Sequence, residues 1–246
     1  MSPPELMTVG FSHEGGMDMA LSQALLRVVA RGDRAPLTRI YRPGATVAFG
    51  RRDRFRPGFA DAAAVARELG FTPLLRDAGG LAAPYDEQSV IVDRFSVEPD
   101  IAEGVRERFD AMAAAVADVV RGLGLDARVG AVPGEYCPGE HSVNIAGALK
   151  VAGAAQRVVR GAAMVSVVLV VGSGGRLREA VARIYEALEL PVDPAVTGSL
   201  RDVAPALEVD DVITALRERF TPGAVEVDPD TPLLGAARAL IPRHLV

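Results

Sequence analysis

Cysteine, lysine and long hydrophobic runs are scarce in this chain of 246 residues. A single cysteine excludes an internal disulfide, which is typical of a protein from a reducing cytoplasm. The longest apolar run, MVSVVLVV from residue 164, falls far short of the roughly 18 residues that cross a bilayer, and the N-terminus lacks a basic flank followed by an apolar core. We therefore expect a soluble, unprocessed, cytoplasmic protein that has no membrane partner.

Basic side chains are outnumbered by acidic ones, with 27 Lys and Arg against 32 Asp and Glu and a formal net charge of −5. Nucleic-acid binding depends on an excess of basic side chains, so this balance argues against a nucleic-acid partner. The arginine-rich stretch RRDRFR at 51–56 is interpreted as a solvated loop or as a site for one anionic group. Three histidines and one cysteine lack the spacing of a zinc site, and no metal is predicted.

Lysine occurs once, at Lys150, whereas 26 of the 27 basic residues are arginine. The excess of arginine and alanine is typical of drift in a GC-rich genome. Arg and Lys are interchangeable on a solvated surface but not where a compact, titratable charge is required. Lys150 is therefore a candidate functional residue, with an ordinary lysine at a strand end as the alternative.

Hydrophobic periodicity predicts helices near both ends of the chain and strands in the middle. The predicted helices cover residues 17–31, 60–70, 101–124, 177–190 and 210–220, the last opening with Asp caps. The class is therefore α+β, with a mixed or antiparallel sheet flanked by helices. Residues 1–221 are expected to form one domain, with 222–246 as a C-terminal tail packed on it.

Short runs of β-branched and aromatic residues predict the strands. They lie between Thr38 and Gly50, before the Gly79-Gly80 loop, and from Ser89 in SVIVDRFSVE. SVNI is expected to form a hairpin with residues 149–158. GAAMVSVVLVV is apolar throughout and is predicted to be a central strand buried on both faces.

Adjacent glycines follow an arginine in the segment RDAGGL. Arg76 precedes Gly79 and Gly80, so the backbone can approach a ligand closely while the guanidinium holds an anionic or carbonyl group. Such a pair is also common in plain turns, and its spacing fits neither a P-loop nor a dinucleotide fingerprint. The segment is a candidate only in combination with others.

The single cysteine, Cys137, lies in a segment rich in Pro and Gly, PGEYCPGEH, with His141 four residues later and Glu135 and Glu140 beside it. A thiol presented on a fixed loop and assisted by a base can act as a nucleophile. The alternative is a small buried hydrophobe, although the segment is too polar to be core. Thirteen residues separate Cys137 from Lys150, and a loop and one strand can bring the two together or leave them apart.

Small residues surround Lys150 in GALKVAGAAQR. They leave room for a ligand, and a desolvated ammonium can polarise a carbonyl or give a proton to a leaving amine.

In chain order, RDAGGLAA, YCPGEHSVNIAG and KVAGAAQRVVRGAAMVSVVLVV resemble the lipoate-protein ligase, octanoyltransferase and biotin-protein ligase superfamily. The resemblance extends from about Met17 to Ala204. The Tyr-Cys-Pro-Gly segment and IYEALELPVDP are most similar to the lipoyl/octanoyl amidotransferase branch. The resemblance implies a biotinyl/lipoyl-transferase-like fold, with 1–221 as a single acyltransferase catalytic domain.

The resemblance also implies roles for individual residues. Cys137 would form a thioester with an octanoyl or lipoyl group, while Lys150 would hold the acyl carbonyl and assist proton transfer. The acyl pocket would be lined by Arg76, Gly79, Gly80, Gly153 and Ala154. A thioester conserves the acyl energy, so transfer between protein lysines requires no cofactor. Separately from the resemblance, the position of His141 four residues after Cys137 predicts that it lies at the substrate, as a second source of the proton that the leaving amine needs.

The partners that the resemblance implies are lipoyl-domain proteins. These are the glycine-cleavage H protein and the E2 subunits of 2-oxoacid dehydrogenases, with octanoyl-acyl carrier protein as a further donor.

Two alternatives remain open. The first is an ATP-dependent lipoate or octanoate ligase, which would use ATP and Mg to form an acyl-adenylate. Those ligases usually have a longer glycine run and a paired arginine, whereas here Leu75 precedes Arg76 and Leu81 follows Gly80. The second is a non-catalytic protein that binds acylated lipoyl domains.

Overall fold

The computed structural model describes residues 3–98, 100 and 103–246. The strands in these residues are β1 (Glu5–Met7), β2 (Leu37–Tyr41), β3 (Thr46–Phe49), β4 (Thr72–Leu75), β5 (Ala83–Tyr85), β6 (Ser89–Glu98), β7 (Ala127–Val129), β8 (Val143–Ile145), β9 (Leu149–Val159), β10 (Gly161–Val170) and β11 (Val225–Glu226). The α-helices are α1 (Met17–Arg31), α2 (Phe59–Glu68), α3 (Val105–Gly122), α4 (Gly174–Ala187), α5 (Val209–Phe220) and α6 (Thr231–Arg238).

Two mixed sheets are formed by the described strands. The larger has the order β11-β1-β2-β6-β10-β9-β8-β7, and the smaller has the order β4-β3-β5. β1 runs parallel to β2 and β11, and β3 runs parallel to β4, whereas the other neighbours are antiparallel. The predicted α+β class with helices flanking a mixed sheet is confirmed.

The first helix, the hairpin and the long helix follow from local sequence. α1 ends where Gly32 takes a left-handed conformation, and β8 pairs with β9 as predicted. α3 begins only at Val105, because Gly104 has a φ of 68° and stands outside the helix. Residues 101 and 102 of the predicted helix lie outside the described residues.

Two fully buried faces are predicted for the central strand β10, but only one is buried throughout, while the other is buried at both ends of the strand and half-buried in the middle. Val165, Val167 and Leu169 are buried with α3 and α5 in the main core. Met164 and Val168, on the other face, are half-buried and line cavities. Because β10 is antiparallel to both neighbours, the sheet can leave one face open to a ligand.

Residues beyond 221 pack against the rest of the chain. β11 adds to the edge of the larger sheet beside β1, and α6 shares a buried cluster with α1. His244 is buried, accepts a hydrogen bond from the Leu75 N–H at 2.8 Å through its carbonyl, and bonds the Leu75 carbonyl through Nδ1 at 2.8 Å. The end of the described chain is thereby attached to β4, immediately before Arg76.

Candidate active site

A loop between β7 and β8 folds around the carboxylate of Glu135. Oε1 accepts hydrogen bonds from the Gly139 N–H at 2.9 Å and from the Ser142 hydroxyl at 2.7 Å, and Oε2 accepts one from the Val132 N–H at 3.0 Å. The Lys150 ammonium donates to Oε1 at 3.2 Å. A buried carboxylate is costly without such partners, so these bonds fix the shape of the loop.

Lys150, near the start of β9, is 1% exposed and uses all three donors of its ammonium group. Besides Glu135, Nζ bonds the carbonyl oxygens of Tyr136 at 2.8 Å and Cys137 at 3.0 Å. The register of β8 against β9 shifts between Val143 and Asn144, and such a bulge re-aims side chains. The structure therefore brings Lys150 to the backbone of the cysteine segment.

Burial lowers the pKa of Lys150 from its ordinary value, although the negative charge of Glu135 opposes that shift. An ammonium with a lowered pKa gives up its proton more readily near neutral pH. Lys150 is therefore a candidate acid and base.

The half-buried thiol of Cys137 is surrounded by hydrogen-bond donors. Its Sγ lies 3.2 Å from the Leu81 nitrogen and 3.5 Å from Nη2 of Arg76, and the same Nη2 donates to the Leu81 carbonyl at 2.7 Å. An N–H group and a guanidinium stabilise a thiolate over a thiol. The arrangement suits a nucleophilic sulfur.

Of the two adjacent glycines after Arg76, only one has no room for a side chain. At Gly80, with a φ of 99°, a Cβ would lie 2.4 Å from Nη2 of Arg76 and 2.8 Å from Sγ of Cys137. A Cβ at Gly79 would meet nothing within 4 Å. Gly80 thus permits the close approach of arginine and sulfur, and Gly79 contributes only to the cavity wall.

A cavity of about 370 Å³ opens at this thiol, within the usual range of about 300–1,000 Å³ for small-molecule sites. All of the predicted site residues line it: Arg76, Gly79, Gly80, Cys137, His141, Lys150, Gly153 and Ala154. Much of the remaining wall is apolar: Ala83, Pro84, Val105, Phe109, Val158 and Val168. The cavity suits an apolar chain with a reactive polar end.

His141 lines this cavity, but its hydrogen bond is to Asp110 on α3. Its Nε2 lies 2.9 Å from an Asp110 oxygen, and its ring stacks on Phe109 with centroids 5.0 Å apart. Both contacts attach it to α3. A place for His141 at the substrate remains a prediction, and so does its role as a proton donor.

Sequence reasoning missed two buried residues of this site. The sequence presents Glu135 only as an acidic neighbour of the cysteine, and Tyr185 only as part of the motif IYEAL. The Tyr185 hydroxyl accepts a hydrogen bond from the Cys137 N–H at 2.7 Å. The IYEAL motif was a usable signal, but nothing local linked it to a cysteine 48 residues away.

The arginine stretch at 51–56 lies beside the glycine loop. Arg51 forms an ion pair with Asp77, and Arg56 lies 3.8 Å from Asp53. Among residues 3–98, 100 and 103–246, no group of three or more His, Cys, Asp or Glu side chains is placed to hold a metal ion. No helix in that part of the chain is long and apolar enough to cross a membrane.

Mixed sheets flanked by helices, with a thiol and a buried lysine at an apolar cavity, define the class of domain to which the chain belongs. Residues 15–221 match the family model of the lipoyl protein ligase A/B catalytic domain, and the protein belongs to this family. The resemblance inferred from the sequence motifs is confirmed.

Curated relatives carry the name octanoyl-[GcvH]:protein N-octanoyltransferase. The Geobacillus kaustophilus protein is 29% identical over 229 residues, which cover 87% of this chain and 81% of the relative. The Anoxybacillus flavithermus protein is 31% identical over 182 residues, which cover 73% of this chain and 64% of the relative.

Lipoate-protein ligases are among the solved structures that share this fold. A lipoate-protein ligase A bound with ATP superposes with a TM-score of 0.79 at 21% identity, covering 98% of this chain and 95% of that one. A putative lipoate protein ligase from T. acidophilum with bound lipoic acid gives 0.77 at 21% identity, covering 98% and 96%. At this identity the likeness establishes the fold.

Proposed function

We propose that this protein is an acyltransferase that moves an octanoyl or lipoyl group onto a lipoyl-domain lysine through a thioester on Cys137. The observation that carries this proposal is the position of Sγ, which lies beside the Leu81 N–H and the Arg76 guanidinium on a residue that lines a largely apolar cavity. The names of the relatives, which pair an octanoyl-[GcvH] with a protein acceptor, support the same reaction.

The first half of the reaction acylates the enzyme. The Cys137 thiolate attacks the acyl carbon of the donor and a C–S bond forms. The bond that breaks is the C–N bond to the donor lysine in H protein, or the C–S bond of the donor thioester in acyl carrier protein. The departing amine must take up a proton, since an amide anion is a poor leaving group. The Lys150 ammonium, with its lowered pKa, supplies that proton.

The second half returns the thiolate. The amine of the acceptor lysine attacks the thioester carbon, a C–N bond forms, the C–S bond breaks, and the proton lost by the incoming amine returns to Lys150. All three donors of Lys150 are engaged by the protein. To hold the acyl carbonyl, Lys150 must therefore exchange one backbone oxygen for the substrate oxygen.

The remaining parts of the proposal concern partners, cofactor and domain. The donor is an octanoylated glycine-cleavage H protein or octanoyl-acyl carrier protein, and the acceptors are H protein and E2 lipoyl domains. Neither ATP nor another cofactor is needed, because the acyl bond of the donor is at least as activated as the amide bond of the product. Residues 1–221 act as the catalytic domain with 222–246 packed on it, in the cytoplasm.

The test is intact-protein mass spectrometry after incubation with octanoylated H protein or octanoyl-acyl carrier protein, without ATP. A gain of one octanoyl group that hydroxylamine removes, absent from Cys137→Ala, is expected. Product formed only with ATP and free lipoate would establish the ligase instead. Tight binding of acylated lipoyl domains without any transfer would establish a non-catalytic binder.

A further inference from the structure

Tyr185 lies on α4 and is 1% exposed, and its hydroxyl makes two hydrogen bonds to the backbone of two different loops. It accepts from the Cys137 N–H at 2.7 Å and donates to the Ala82 carbonyl at 2.8 Å. A phenolic hydroxyl has one donor hydrogen and free lone pairs, so both bonds form at once. Burial raises the pKa of Tyr185, which keeps that hydrogen in place at neutral pH.

Of the two loops that Tyr185 joins, one carries the sulfur of Cys137 and the other carries or orients the groups that donate to it. The loop at 136–139 carries the sulfur of Cys137. The loop at 79–82 carries the Leu81 N–H, which donates to that sulfur. The carbonyl oxygen of Leu81 accepts a hydrogen bond from the Arg76 guanidinium. The distance between Sγ and its donors therefore depends on how these loops are held relative to each other.

The backbone of Cys137 has an unusual conformation that requires support. Its φ is 41°, in the left-handed region that residues other than glycine seldom adopt. Such a conformation persists only when the surroundings hold it. Lys150 binds the Cys137 carbonyl, and Tyr185 binds its N–H, so one side chain holds each end of the residue.

We propose that Tyr185 is a positioning residue for acyl transfer, which holds the Cys137 thiol against the Leu81 N–H and the Arg76 guanidinium by joining their two loops. This inference rests on the proposed function of Cys137 as the nucleophile. It gives the IYEAL motif a role in the reaction: the helix α4 buries Tyr185 in a core cluster beneath the site, and its hydroxyl reaches the nucleophile.

The test compares Tyr185→Phe, which removes only the hydroxyl, with Val181→Ala, a buried change on the same helix. Since the chain has one cysteine, the mass gained with iodoacetamide reports Cys137 alone. Alkylation follows the thiolate fraction. The charged residues around Cys137 are Arg76, Lys150 and Glu135, and both variants keep all three.

Each variant is assayed below its own thermal unfolding midpoint, over a range of pH. We expect Tyr185→Phe to be alkylated about tenfold more slowly at neutral pH, as for the loss of one to two hydrogen bonds, and to differ from the wild type in its pH profile. We expect kcat for acyl transfer to fall about tenfold, with KM unchanged. Val181→Ala should lose thermal stability and keep the wild-type pH profile.

A wild-type pH profile for Tyr185→Phe, or an equal shift in Val181→Ala, would overturn the positioning role. The alkylation readout needs no acyl donor and is therefore independent of the reaction. A shifted profile in a protein that never forms an octanoyl adduct would support the positioning of the thiol and overturn the acyl-transfer function.

Discussion

Glu135 and Lys150 form a buried ion pair, with Nζ and Oε1 3.2 Å apart and both side chains at most 1% exposed. The carboxylate organises the loop on which Cys137 lies, and the ammonium binds the carbonyl of Cys137 itself. The ion pair therefore stabilises the loop and also contacts the residue that carries the nucleophile. Breaking it should affect stability and activity together.

Glu135→Gln is expected to be strongly destabilising, because it leaves the Lys150 ammonium buried without its counter-charge. Removing one partner of a buried pair costs about 3–5 kcal/mol. Glu140→Gln is the matched control, since Glu140 lies in the same loop, is 74% exposed and pairs with Arg106 at 3.4 Å. An exposed pair contributes about 0–1 kcal/mol. Urea unfolding of both variants measures the difference.

The destabilisation of Glu135→Gln should also depend on pH. Burial already lowers the pKa of Lys150 below its ordinary value of 10.5, and loss of Glu135 lowers it further. Between the lowered pKa and 10.5 the unfolded chain binds more protons than the folded one, so stability rises with pH in that window. The loss should therefore be greatest near neutral pH and diminish as the pH rises. A pH-independent loss would contradict this assignment.

Lys150→Arg is expected to abolish most acyl transfer although it keeps the positive charge. A guanidinium does not release its proton near neutral pH and is too large for a site in which three oxygens surround one nitrogen. Loss of a general acid typically costs about 100-fold to 10,000-fold in rate. Single-turnover formation of the Cys137 thioester from octanoylated H protein is the measurement, because Lys150 supplies its proton in that half of the reaction.

The control for that variant is Arg128→Lys, the opposite exchange at an exposed residue paired with Asp126. It should leave the transfer rate unchanged. Wild-type transfer by Lys150→Arg would show that Lys150 acts only through its charge.

Gly80→Ala is expected to prevent thioester formation. A Cβ there would lie 2.4 Å from Arg76 and 2.8 Å from Sγ of Cys137, at a φ of 99° that alanine seldom adopts. The sulfur and the guanidinium would have to separate. Gly175→Ala, at an open position in the first turn of α4, is the control. The octanoyl adduct measured by mass spectrometry should disappear only in the first variant.

The sequence predicts those features of the fold and the site that depend on residues close together along the chain. The helix at 17–31 and the hairpin of SVNI with 149–158 follow from periodicity and turn residues, and the structure has both. The motif residues from Arg76 to Ala154 were found because the family spaces them recognisably along the chain. The structure brings them to one cavity.

What the sequence could not supply are the contacts between distant loops. Nothing near Tyr185 indicates that its hydroxyl meets the backbone at Cys137 and Ala82. Gly79 and Gly80 are equivalent in the sequence, and only the positions of Arg76 and the sulfur distinguish them. The open face of β10 was missed for a related reason, since an apolar strand gives the same pattern beside a core and beside an apolar cavity.

The attachment of His244 to Leu75 has a practical consequence for anyone who engineers this enzyme. The family match ends at residue 221, and a minimal version cut there would retain every motif residue. It would nevertheless remove the side chain and backbone that brace β4 directly before Arg76. A domain boundary taken from the family match would therefore remove contacts that fix the position of Arg76, the residue that contacts the Cys137 sulfur.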